Sequence, residues 1–69
     1  MKETIYDEQI NPLMHEIIKI CEENKIAFIT SFHLPTEGDE NLACTSCNLK
    51  DDANPPVSYF RAKNIIFGD

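Results

Sequence analysis

A mismatch between apolar pattern and chain length constrains this protein most. One strongly amphipathic helix and one apolar hairpin can be read in only 69 residues, which leaves little polypeptide to cover both. A chain this short forms a single domain, residues 1–69, and buries a smaller fraction of its surface than a larger protein does. Small domains draw extra stability from disulfides, a structural metal, an oligomer interface or very regular packing.

The clearest element is the helix. Ile10, Leu13, Met14, Ile17, Ile18 and Cys21 follow the i, i+3, i+4, i+7 spacing of one buried face, and Glu16, Lys19, Glu22 and Glu23 fall on the wet side. Asn11-Pro12 reads as an N-cap followed by proline at the first helical position, with Asp7 as a competing cap. Asn24 is the expected stop, because Asn tolerates the left-handed conformation that often closes a helix.

From Ile26 the pattern changes. The segment from Ile26 to Leu34 is rich in β-branched and aromatic residues and puts Ile26, Phe28, Phe32 and Leu34 on one face of a strand. Pro35 to Glu40 is turn material, and Asn41 to Leu49 returns as a second, more polar strand, so the simplest pairing is an antiparallel hairpin. Lys50 to Pro56 forms a loop. Asn54-Pro55-Pro56 sets up a second helix, less cleanly patterned, that carries Val57, Tyr59, Phe60, Ala62, Ile65 and Ile66 and is closed by Gly68. The order is α-β-β-α, an α+β domain with its hairpin packed on helices.

A lone two-stranded hairpin is marginal unless it packs on helices or gains strands. Two chains that joined hairpin edges would make a four-stranded sheet with the helices on one face and would remove one exposed edge from each. Size and pattern together therefore predict an isologous homodimer.

Twelve carboxylates against six basic residues give a net charge of −6, spread along the chain. Neutralising phosphates requires clustered Lys and Arg, and Arg61 with Lys63 is too small a spot, so direct binding to nucleic acid is not expected. Acidic faces attract basic partners instead. No stretch approaches the roughly 20 apolar residues of a bilayer span, and the charged N-terminal segment lacks the apolar run of a signal peptide. With an odd number of cysteines, three, the expected setting is a reducing cytoplasm.

The nearest thing to a site motif is Cys44-Thr45-Ser46-Cys47, with Cys21, His15 and His33 as further donors. A structural zinc site normally shows two close ligand pairs, whereas this chain has one. Residues three apart on a regular strand also point to opposite faces, so Cys44 and Cys47 converge only if a bulge interrupts the strand. No helix signal follows Cys47 to lower a thiol pKa for redox work. His33 and His15 lack a paired nucleophile or orienting acid, and Ser31, Ser46 and Ser58 lack a nucleophile elbow. The turn from Glu37 to Glu40 does not match a calcium loop, and there is no glycine-rich phosphate loop. Nothing here calls for an enzyme or a cofactor.

The opening Ile5-Tyr6-Asp7-Glu8-Gln9-Ile10-Asn11-Pro12-Leu13-Met14, the helix, the strand with Phe28 and Phe32 and the Cys44-Thr45 strand resemble small acidic proteins of uncharacterised role encoded by tailed bacteriophages and prophages. The resemblance covers about the first two-thirds of the chain and carries no functional residue with it. It implies a protein that acts without catalysis, by occupying a host or phage factor. The expectation is an interaction module that binds a basic protein surface through Glu22, Glu23, Glu37, Asp39 and Glu40, taken as clustered around one end of the hairpin and helix. The alternative is a small metal-stabilised domain using Cys44 and Cys47 with Cys21 or His33.

Overall fold

The computed structural model describes residues 1–68 and has the α-β-β-α order of an α+β domain. Helix α1 (Lys2–Ile5), a wider helical turn (Tyr6–Ile10) and helix α2 (Asn11–Glu23) follow one another as consecutive helical turns. Strands β1 (Phe28–His33) and β2 (Ala43–Asn48) form the hairpin, a single 3-10 turn (Asp51–Ala53) follows, and α3 (Val57–Phe67) ends the described chain.

Helical structure thus begins well before Asp7 or Asn11. Pro12 has no N–H to give and its ring crowds the carbonyl four residues earlier, which would break a regular helix. Here the backbone widens just before it: the Asn11 N–H donates to the Tyr6 carbonyl, five residues back, and helical structure continues on both sides. The wider turn also sets which residues meet the sheet. Positions eight apart lie about 80° out of line on a regular helix, but absorbing one residue restores the alignment of positions seven apart. Tyr6 and Met14 are accordingly the two buried helical residues among those described.

The helix ends at Glu23 with Asn24 as its C-cap, where its sequence signal put the stop, but the left-handed conformation falls on the next residue. Asn24 keeps a negative φ and uses its side-chain amide to donate to the Ile20 carbonyl at 2.9 Å, while Lys25 takes the left-handed conformation at φ 56°. The Ile26 N–H then reaches back to the Cys21 carbonyl at 2.8 Å, a Schellman-like closure.

The hairpin register runs without a bulge from Phe28 opposite Asn48 to His33 opposite Ala43. Side-chain alternation therefore places Phe28, Thr30 and Phe32 on one face with Cys44, Ser46 and Asn48. This face receives the N-terminal helical segment: the Tyr6 and Phe32 rings lie 5.5 Å apart and tilted by 54°, within the range of favourable aromatic pairs. Asn48 is buried at the other end of the same face. Its Nδ2 donates to the Ile26 carbonyl at 2.9 Å and its Oδ1 accepts from the Lys50 N–H at 3.4 Å, so one side chain ties the entry of β1 to the exit of β2.

Pro56 in extended conformation begins α3, and Gly68 at φ 76° ends it by donating its N–H back to the Asn64 and Ile65 carbonyls. A left-handed residue at this place suits glycine, which has no Cβ to clash. Helix α3 rests on β1 with Tyr59 and Ala62 half-buried and the rest of its residues exposed.

The core is correspondingly small: Tyr6, Met14, Leu34 and the polar Asn48 are the buried residues among those described. The radius of gyration is 13.3 Å, against about 11 Å for a compact domain of this length. The molecule is a plate of 39 × 28 × 10 Å, whose short dimension matches the roughly 10 Å spacing of two packed layers and leaves no third layer to cover the outer sides.

Candidate functional site

The apolar stripe of α2 divides. Met14 is buried and Ile10, Ile18 and Cys21 are half-buried against the hairpin, but Leu13 and Ile17, read from sequence as part of that buried face, are exposed. Ile20 joins them, giving a second stripe with i, i+4, i+7 spacing that stays outside the chain's core. Ile26, expected on the packed face of the first strand, lies just before β1 and is also exposed. On α3, Val57, Phe60, Ile65 and Phe67 are exposed as well.

The acidic residues fall into two groups instead of one. Glu22 forms an ion pair with Lys50, and Glu23 lies beside it at the end of α2, near the start of β1. The hydrogen bond and charge of Glu22 raise the Lys50 ammonium above its ordinary value. Glu37, Asp39 and Glu40 sit in the turn beyond the opposite end of β1, about 17 Å away by the rise of six strand residues. The connection between the strands is what sets this distance, and no local pattern in the sequence reports it.

The turn itself is well tied. Thr36 and Asp39 exchange backbone hydrogen bonds of 2.9 and 3.3 Å, and the Asp39 N–H also donates to Thr36 Oγ1 at 3.0 Å. Asp39 Oδ1 accepts from the Asn41 N–H at 3.0 Å, a side-chain mimic of a backbone turn. His33 Nε2 donates to the Glu40 carbonyl at 2.9 Å, and the Leu34 N–H to the Leu42 carbonyl at 2.8 Å. These bonds hold three exposed carboxylates on a fixed backbone, and among the described residues no lysine or arginine pairs with them. Across the turn an open groove is lined by Met1, Lys2, Pro35, Thr36, Glu37 and Gly38.

The thiols do not converge. The unbroken register puts Cys44 on the face that meets Tyr6 and Cys47 on the opposite face, beside the Ser31–Thr45 hydroxyl contact of 3.0 Å. The pair therefore cannot chelate one ion in this fold. Cys21 is on α2, His15 is exposed on the same helix and His33 is engaged with Glu40, and among the described residues no group of three or more His, Cys, Asp or Glu side chains is placed to hold a metal. All three cysteines are free thiols.

Tyr6 is the residue at this face that sequence reasoning missed. Burial above all, then the charges of Cys44 and Asp7, pushes its phenol above the ordinary value, with a hydrogen bond from Ser46 acting the other way. Its signal in the sequence was an aromatic beside a charge pair, hidden by the phase shift of the wider turn.

No helix of the described residues is long and apolar enough to cross a membrane. No family model, curated protein or solved structure matches this chain.

Proposed function

We propose that this chain is a small acidic, non-enzymatic interaction protein that works as a homodimer and binds the basic surface of a host or phage protein in the cytoplasm. The observation that carries the reading is the turn: Glu37, Asp39 and Glu40 are exposed, unpaired among the described residues and held by backbone and side-chain hydrogen bonds. Fixed carboxylates with no internal partner leave their field free for a cationic surface, which steers encounter and sets orientation. Glu22 and Glu23 form a smaller second acidic group at the other end of the hairpin, part of whose charge is spent on Lys50. The same negative field disfavours nucleic acid, and the resemblance to acidic phage proteins points the same way. Glu22 and Glu23 are therefore a lesser contact, and the turn is the principal one.

The test is capture of a partner from a bacterial lysate by wild type and by the triple variant Glu37→Gln, Asp39→Asn, Glu40→Gln, in which the amide oxygen introduced at position 39 keeps the acceptor that the turn requires. Loss of the partner in the variant, and its release from wild type as salt shortens the Debye length from about 10 Å to about 3 Å, is the expected result. A partner held equally by both proteins would remove the turn from the interface.

A further inference from the structure

Most of the exposed large apolar side chains lie on α2 and α3 and form two sets that complement each other, and the structure points to where a second copy docks. Helix α2 presents Leu13, Ile17 and Ile20 with Glu16 and Glu23 along their outer flank. The outer side of α3 presents Phe60 and Phe67 with Lys63 between them, and Val57 and Ile65 with Arg61 between them. Helix α3 contains no carboxylate, in a chain whose net charge is −6. Helix α2 carries Glu16, Glu22 and Glu23 against Lys19. Among the described residues neither Arg61 nor Lys63 has an ion-pair partner within the chain.

We infer that α3 of each copy packs on the Leu13–Ile17–Ile20 stripe of the other, so that two identical helix contacts close a twofold dimer. Area supports a second copy as the occupant. A folded monomer of 7.9 kDa exposes about 4,400 Å² by the usual scaling of surface with mass, whereas this chain exposes 5186 Å². The surplus of about 780 Å² is close to the ~800 Å² that each partner contributes to a standard interface. Charge supports the pairing of α3 with α2: two α3 helices brought face to face would bring their cations together, and two α2 stripes would oppose Glu16 and Glu23, while the crossed arrangement brings the cationic α3, which has no carboxylate, to the acidic flank of α2. Reciprocity satisfies both stripes of both copies at once and leaves neither stripe free to propagate, as a closed isologous interface requires. The acidic turn is not used, so it stays open for the basic partner.

This inference rests on the homodimer reading, and the experiment separates the two. Sedimentation equilibrium is run on wild type, on the α3 variant Arg61→Glu/Lys63→Glu, on the α2 variant Glu16→Lys/Glu23→Lys, and on an equal mixture of the two variants, with circular dichroism reporting helix content. The expected result is a wild-type dimer, a dissociation constant raised at least about 10-fold in each variant alone, as like charges meet, and recovery of dimer in the mixture, where both contacts again join opposite charges. The apolar variant Ile17→Asp is expected to be monomeric with its helix content retained. A wild-type monomer would overturn both the homodimer and this interface. A wild-type dimer that every variant preserves would leave the homodimer standing and overturn only the helix contact, in favour of pairing through hairpin edges; variants that stay apart when mixed would overturn it too.

Discussion

Leu13 and Met14 are neighbours in sequence on α2, yet Met14 is 3 % exposed and Leu13 is 58 % exposed. One turn further on the division repeats, with Ile18 half-buried and Ile17 exposed. The apolar arc of this helix is wider than its own hairpin can cover, and that excess is the main physical fact about the chain. Removing apolar surface from water is worth about 25 cal/mol per Å², so a stripe of this kind is a standing drive toward association. The small core means that the same association contributes to stability as well as to assembly.

Asn48 and Thr30 sit on the same face of the hairpin and should respond oppositely to loss of their polar atoms. Asn48→Ala deprives the Ile26 carbonyl and the Lys50 N–H of partners in a buried place and is expected to cost about 1–3 kcal/mol. The Thr30 hydroxyl oxygen is buried with no hydrogen-bond partner among the described residues, so Thr30→Val, which keeps the branched shape, should be neutral or stabilising by up to about 1 kcal/mol. Urea unfolding of the two variants at one protein concentration checks both signs.

Tyr6 makes stability fall in alkali. Its phenol is raised in the folded protein, so the folded state holds that proton more tightly than the unfolded chain. The resulting stabilisation is fully present below the unfolded value near 10.0 and is lost as pH rises through the higher folded value. Tyr6→Phe keeps the ring against Phe32 and should flatten the decline in thermal midpoint above the unfolded value of 10.0. The Lys50–Glu22 pair weakens in the same direction but is exposed in both proteins, so the difference between wild type and Tyr6→Phe isolates the phenol.

Lys25 holds a left-handed backbone at φ 56°, a conformation that costs a residue with a Cβ roughly 1–2 kcal/mol. Lys25→Gly relieves that cost and loses part of it to the greater freedom of glycine in the unfolded chain. A net gain of about 0.5–1 kcal/mol is expected, read from the shift in denaturation midpoint. A loss of stability would show that the Lys25 side chain contributes more than its backbone costs.

Elements whose signals are local were legible in the sequence, as α3 shows. Pro55-Pro56 and Gly68 mark both of its ends, and Gly68 takes the positive φ that its position needs. The hairpin was legible for the same reason: alternation and a turn-rich connection decide it, with β1 and β2 each falling inside the predicted strand. The start of the first helix was not, because Pro12 is the strongest N-terminal signal in the segment and only the wider turn before it lets the helix begin at Lys2. The split of the stripe was also hidden. Periodicity reports that Leu13, Met14, Ile17 and Ile18 share an apolar arc, but it cannot report how much of that arc a hairpin of two short strands will cover. The grouping of the acidic residues depended on chain path: β1 carries the turn away from Glu22 and Glu23, so what reads as one cluster is two.

The most direct measurement is sedimentation equilibrium of the untagged protein across a wide concentration range. A species of twice the 7.9 kDa chain mass, giving way to monomer on dilution, is what the exposed α2 stripe and α3 surface predict. A single 7.9 kDa species persisting to millimolar concentration would contradict the account and mean that these apolar faces stay in water or await a different partner.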